Sequence, residues 1–171
     1  PAFRESQGPV DLAKEAAILV VTEDNKGIPM VRPVEEKPAG AHRSKGEKAN
    51  KKQMACIGCV YSVDRHERTP EELVATLFRD PDRPKAKPPE AQNKRYFAEL
   101  SRERDGEWVR GQDVVFQHLA AEVQTRRQPG QLLFHLSDGQ ASLETDRHTY
   151  LPKDAATLDA LPGAIRNGQE L

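Results

Sequence analysis

Cysteine is scarce in this chain of 171 residues: there are two, Cys56 and Cys59, too few and too close together for the disulfide framework of a small secreted domain. No signal peptide is visible at the start, so the expected setting is a reducing, cytoplasmic one. Aromatic residues are also few, at 5%; with 36% apolar and 31% charged residues they predict a modest core under a heavily charged surface, enough for one ordinary domain. Long apolar runs are missing. The longest, Ala16 to Val21, is strand-sized, far short of the roughly 18 to 20 residues of a membrane span, so no membrane partner is expected. An excess of one charge is missing as well: 26 Lys and Arg stand against 27 Asp and Glu, and any attraction to nucleic acid must come from local clusters. A Gly-rich phosphate loop, a Gly-x-Ser-x-Gly elbow and a His-Glu-x-x-His motif are all absent, which removes support for P-loop hydrolysis, serine hydrolysis and zinc proteolysis. No internal repeat is evident.

What is present reads as alternating strands and helices. Ala17 to Thr22 is a β-branched run that predicts a buried strand. Glu23-Asp24-Asn25-Lys26-Gly27 then predicts a turn, and Ile28 to Arg32 a second strand of the same hairpin, near an edge because of Pro29. Residues 33–52 form a basic loop with Lys37, Arg43, Lys45, Lys48, Lys51 and Lys52. Gln53 to Asp64 predicts a third strand. Thr69-Pro70-Glu71-Glu72 is a capping box opening a helix. Residues 80–91 are a proline-rich excursion, and Gln92 to Glu103 is expected as a short helix. Gln112 to Arg127 predicts the most regular helix, with Val115, Leu119 and Val123 on one face and Phe116 and Ala120 beside them. Leu132 to Leu136 is a strand, and Gln140 to Tyr150 a helix. The expected organisation is a leader over 1–16, an α/β core over 17–151 and a weakly patterned tail over 152–171. The core's mixed sheet has three antiparallel strands followed by a parallel strand, flanked by helices.

Two acids stand at strand ends in this reading, Asp24 after the first strand and Asp138 after the fourth. Groups at the ends of adjacent parallel strands converge on one edge of an α/β sheet. Two close carboxylates repel unless a cation lies between them, and a hard ion such as magnesium suits carboxylate and phosphate oxygens. The structural alternatives are a turn opener for Asp24 and a helix N-cap for Asp138. Cys56 and Cys59 lack a second ligand pair for zinc and read as buried small residues. His42, His66, His118, His135 and His148 have no ligand-pair spacing. Trp108 and Tyr96, with Lys94, Arg95 and Arg110, could stack on or clamp nucleic acid, or anchor a packed excursion. The basic loop could contact phosphates, or simply be solvated.

Five blocks carry a resemblance: Val20 to Met30; Lys51 to Ala55 running into Val60 to Val63; Arg68 to Glu72; Gln92-Asn93-Lys94-Arg95; and Leu136 to Leu143. In this order they resemble the catalytic core of the ISKra-type insertion-sequence transposases, from about Ile18 to Tyr150. The resemblance implies a ribonuclease-H-like DDE core acting in DNA transposition by metal-dependent strand cleavage and transfer. It implies Asp24 and Asp138 as catalytic, metal-binding acids for two Mg2+ or Mn2+ ions. It also makes Arg43, Lys45, Lys48, Lys51, Lys52, Lys94 and Arg95 candidate DNA contacts at element ends and target DNA. A bacterial, nucleoid-associated location and a homo-oligomeric full-length relative go with it. Glu144 stands where the family has an aromatic, the third acid has no match, and Thr157 to Pro162 is similar only to the start of the segment that leads to it. The expectation is a truncated core, inactive alone. The alternatives are a ribonuclease-H-like nuclease that only hydrolyses, or a non-catalytic DNA-binding remnant.

Overall fold

The computed structural model describes residues 8–31, 52–77, 87–137 and 139–159. Its elements are β1 (Ile18–Pro29), β2 (Lys52–Val63), α1 (Pro70–Leu77), β3 (Gln92–Leu100), β4 (Arg102–Arg104), β5 (Glu107–Val109), α2 (Gly111–Arg126), β6 (Leu132–Ser137), α3 (Ala141–Tyr150) and β7 (Ala156–Asp159). The main sheet has the order β3-β2-β1-β6-β7. The pairs β1/β2 and β2/β3 are antiparallel, while β1/β6 and β6/β7 are parallel. The fold is therefore mixed α/β, with a mixed sheet flanked by helices.

The hairpin expected at residues 23–27 is not formed. β1 continues through Asp24, paired with Ile57, and Gly27, paired with Met54, to Pro29 opposite Lys52. Its polar stretch looks like a turn only because alternate residues meet different surroundings: Glu23 is buried and Asn25 half-buried, while Asp24 and Lys26 are exposed. The first two antiparallel partners are thus β1 and the expected third strand. The third is β3, which replaces the helix expected over 92–103. Period-two alternation governs that segment, placing Phe97 opposite Gly58 and Tyr96 opposite Cys59 on successive sides. β7 lies in the interval read as a weak tail, and β4 and β5 form a separate two-stranded ribbon. Asp105 and Gly106 turn that ribbon with positive φ of 53° and 82°, the backbone form that two-residue hairpin turns require.

Other expectations hold. The capping box is formed, with Thr69 N–H donating to Glu72 Oε2 at 2.9 Å and Glu72 N–H donating to Thr69 Oγ1 at 3.2 Å. α2 buries Val115, Phe116, Leu119 and Val123 against Leu19, Val21, Val60, Phe97 and Leu133, with Leu143 of α3 completing the cluster. Each such side chain contributes about 1.5–3 kcal/mol when fully buried. The helix lies so close to β2 that a Cβ on Gly58 would be 2.8 Å from Val115 Cγ1 and 2.9 Å from Leu119 Cδ1. A buried ion pair ties the start of the described chain to the end of α2: Arg126 donates from Nε to Glu15 Oε1 at 2.9 Å and from Nη1 to the Val60 carbonyl at 3.2 Å. None of the helices among the described residues is long and apolar enough to cross a membrane.

Candidate functional site

Polar groups on the core side of β1 mark where hydrophobic packing gives way to chemistry. Leu19 and Val21 are core residues; two positions further on, Glu23 faces His135, and after another two Asn25 Nδ2 donates to Gln112 Oε1 at 2.7 Å. Gln112, on the first turn of α2, donates from Nε2 to the Ser142 carbonyl at 2.9 Å and to Asp146 Oδ2 at 2.6 Å. Arg110 Nη2 donates to the same Asp146 oxygen at 3.1 Å and Arg110 Nη1 lies 3.2 Å from Asp113. Glycine at 111 permits this junction, because a side chain there would overlap the Glu99 carbonyl. The network lies beside a cleft of about 500 Å³, whose walls include Asn25, Lys52, Met54, Trp108, Arg110 and Gln140.

Asp24 sits between Glu23 and Asn25 on the opposite sheet face. It is exposed, and its carboxylate has no hydrogen-bond or ion-pair partner among the described residues. The turn-opener alternative for Asp24 is overturned, since β1 runs straight through it. Asp138 lies outside the described residues. The strand before it is described: β6 runs parallel to β1 with Leu136 beside Thr22. The N-cap of α3 is Gln140. Among the described residues no group of three His, Cys, Asp or Glu could hold a metal ion. Asp24 offers the hard carboxylate oxygens such an ion prefers, but its described neighbours do not complete a site around it.

Of the basic candidates, Arg43, Lys45, Lys48 and Lys51 lie outside the described residues. Lys52 opens β2 at the cleft. Lys94 is exposed on β3, whereas Arg95 donates to the Gly8 carbonyl. The cysteines face opposite sides of β2, as their spacing requires. Burial pushes the Cys56 thiol up to about 12, helped by the Glu23, Asp146 and Asp24 carboxylates, and burial raises Cys59 as well. Both are free thiols. His118 stacks on Phe97 with ring centroids 5.3 Å apart, and His148 lies 3.1 Å from Glu144. The hydrogen bond from Arg147 holds the Glu144 carboxyl below its ordinary range.

Sequence reading misses Gln112, Asp146 and Glu23. Glu23 is read as part of a turn, and Gln112 and Asp146 lie on predicted helices in which no local pattern marks a buried polar residue. No protein-family model, no curated protein and no solved structure matches the chain.

Proposed function

We propose that this chain carries the ribonuclease-H-like core of a DDE-type DNA transposase, with Asp24 as its first acid and Asp138 as its second. The observation that supports this most is an exposed aspartate, without a hydrogen-bond or ion-pair partner among the described residues, in the central strand of a sheet ordered β3-β2-β1-β6-β7. The three antiparallel strands followed by parallel ones are the arrangement the resemblance implies. Aspartate is disfavoured in strand interiors, and here no turn, cap or ion pair among the described residues gives it a structural role.

β6 leads to the second acid from the strand directly beside β1. The pair that Leu136 of β6 makes with Thr22 of β1 stands two positions before each acid. A divalent ion held by these carboxylates would supply Lewis acidity at a scissile phosphodiester and activate a water or a 3′-hydroxyl. DNA is the proposed partner, engaged through Lys52, Lys94 and the basic loop.

The test is calorimetric titration of the full chain with Mn2+, alongside Mn2+- and Mg2+-dependent nicking of plasmid DNA by a chain completed with the missing third acid. Asp24→Asn and Asp138→Asn are each expected to weaken Mn2+ binding at least tenfold and to abolish nicking. Unchanged binding, or undiminished nicking by Asp24→Asn, overturns the assignment. Joined strands among the products separate a transposase from a nuclease, which leaves only free ends.

A further inference from the structure

The cleft beside Asn25 is distinct from the exposed face that carries Asp24, and its hydrogen-bonding polarity follows from its partners. The Ser142 backbone carbonyl can only accept, so the Gln112 group that bonds it is the NH2. Gln112 Oε1 therefore accepts, and Asn25 must present its own NH2 there. That leaves Asn25 Oδ1 as an acceptor with no hydrogen-bond partner among the described residues. The Gln112 side of this relay is fixed by burial, since Gln112 is only 8% exposed. Asn25, which lines the cleft, therefore keeps one amide oxygen free to accept a hydrogen bond.

Trp108, the single tryptophan of the chain, also lines this cleft and is 63% exposed on the β4–β5 ribbon. In a protein with so few aromatic residues, an indole on a surface ribbon serves no core. Lys52, on the same lining, has no ion-pair partner among the described residues, whereas Arg110 is already engaged by Asp113 and Asp146. A π-face, an acceptor for a base N–H and a cation for a phosphate are the three groups that one nucleotide needs. The volume falls within the roughly 300–1,000 Å³ of small-ligand sites.

We propose that this cleft binds an unstacked nucleotide of single-stranded DNA, with the base against Trp108, a base N–H on Asn25 Oδ1 and the phosphate at Lys52. A paired base in a duplex has its face covered by stacking, so it must turn out of the helix to reach an indole and an amide together. The choice of DNA as ligand rests on the transposase reading, and it names a part of the substrate that the chain would hold on the sheet face away from Asp24.

The probe is a single-stranded 12-mer of mixed sequence, titrated into the full chain in EDTA. Tryptophan emission is followed directly, and binding is followed by anisotropy of a labelled copy. The single strand is expected to quench emission and to bind at least tenfold more tightly than its duplex. Trp108→Leu and Asn25→Ala should each weaken binding about tenfold, the scale of one lost base stack. Val74→Gln, on the exposed face of α1, should leave it unchanged. Trp108 is exposed, so its replacement should retain the wild-type circular dichroism and melting temperature. Absence of quenching, or equal binding by Trp108→Leu, overturns the proposal. Mn2+ binding that depends on Asp24 without any quenching would sink the cleft alone; quenching in EDTA together with Mn2+ binding unchanged in Asp24→Asn would sink the transposase reading alone.

Discussion

Glu23 and His135 close the seam between β1 and β6: His135 Nε2 lies 2.7 Å from the Glu23 carboxylate, and both side chains are fully buried. A carboxylate accepts, so the ring nitrogen donates. The other ring nitrogen, Nδ1, has no hydrogen-bond partner among the described residues, which leaves Glu23 as the group that satisfies this histidine. Glu23→Ala should therefore lower unfolding stability by roughly 1–3 kcal/mol, the cost of an unsatisfied buried polar group. Glu23→Gln, which keeps an acceptor, should cost less. The double variant Glu23→Leu with His135→Leu should recover most of the loss, because it removes both polar partners together. Urea denaturation reads all three, and a Glu23→Ala midpoint equal to wild type would refute the role of the pair.

The Arg126–Glu15 pair predicts a larger effect. The guanidinium is 0% exposed, and besides Glu15 it reaches the Val60 carbonyl and lies 3.7 Å from Glu122. Arg126→Ala strands a buried carboxylate and should cost about 3–5 kcal/mol. Arg126→Lys should recover only part of that, since an ammonium cannot reproduce the planar fork that meets two carboxylate oxygens and a carbonyl. The measurement is again the denaturation midpoint. Full rescue by lysine would show that charge alone matters at this position.

Sequence makes legible the elements whose burial follows a single period. α2 declares itself by Val115, Leu119 and Val123, α1 by its capping box, and β6 by its compact apolar run. The differences between expectation and structure cluster where the core face turns polar. Glu23 and Asn25 occupy inward positions of β1, so the alternation of apolar residues stops and the segment reads as a turn. Partners distant in sequence, His135 and Gln112, are what hold it extended. β3 reads as a helix for a related reason: as an edge strand it buries only Phe97 among its nine residues, too little to impose a visible period-two pattern. Asp24 is visible as an acid beside a strand, but its place in the strand interior depends on pairing with Ile57, which no local signal announces. Breaks of this kind are expected at functional sites, where local propensity yields to chemistry.

The close approach of α2 to β2 gives a steric prediction. Gly58 sits against Val115 and Leu119, and any Cβ there must displace two core side chains. Gly58→Ala should cost about 1–3 kcal/mol by overpacking, and Gly58→Val more. Pairing Gly58→Ala with Leu119→Ala should cost less than the sum of the two single changes, because the second opens the space that the first needs. Additivity within about 0.5 kcal/mol would mean that the helix shifts as a whole rather than resisting.

Cys56 gives the stability a pH dependence of definite sign. Burial, followed by the negative charges of Glu23, Asp146 and Asp24, raises its thiol from the ordinary 9.0 to about 12 in the folded chain. The unfolded chain thus loses this proton more readily than the folded one. The contribution to stability is complete below pH 9.0 and is lost as pH rises from there towards about 12. Cys56→Ala creates a small cavity and should lower stability at neutral pH, yet it should flatten the decline above pH 9.0 relative to wild type. The same burial keeps the thiolate scarce, so iodoacetamide at about pH 8 should modify Cys56 far more slowly than a free peptide thiol, until urea opens the core. Rapid modification of Cys56 in the native chain, or identical alkaline slopes for wild type and Cys56→Ala, would show that this thiol is not held against α2 in the way described.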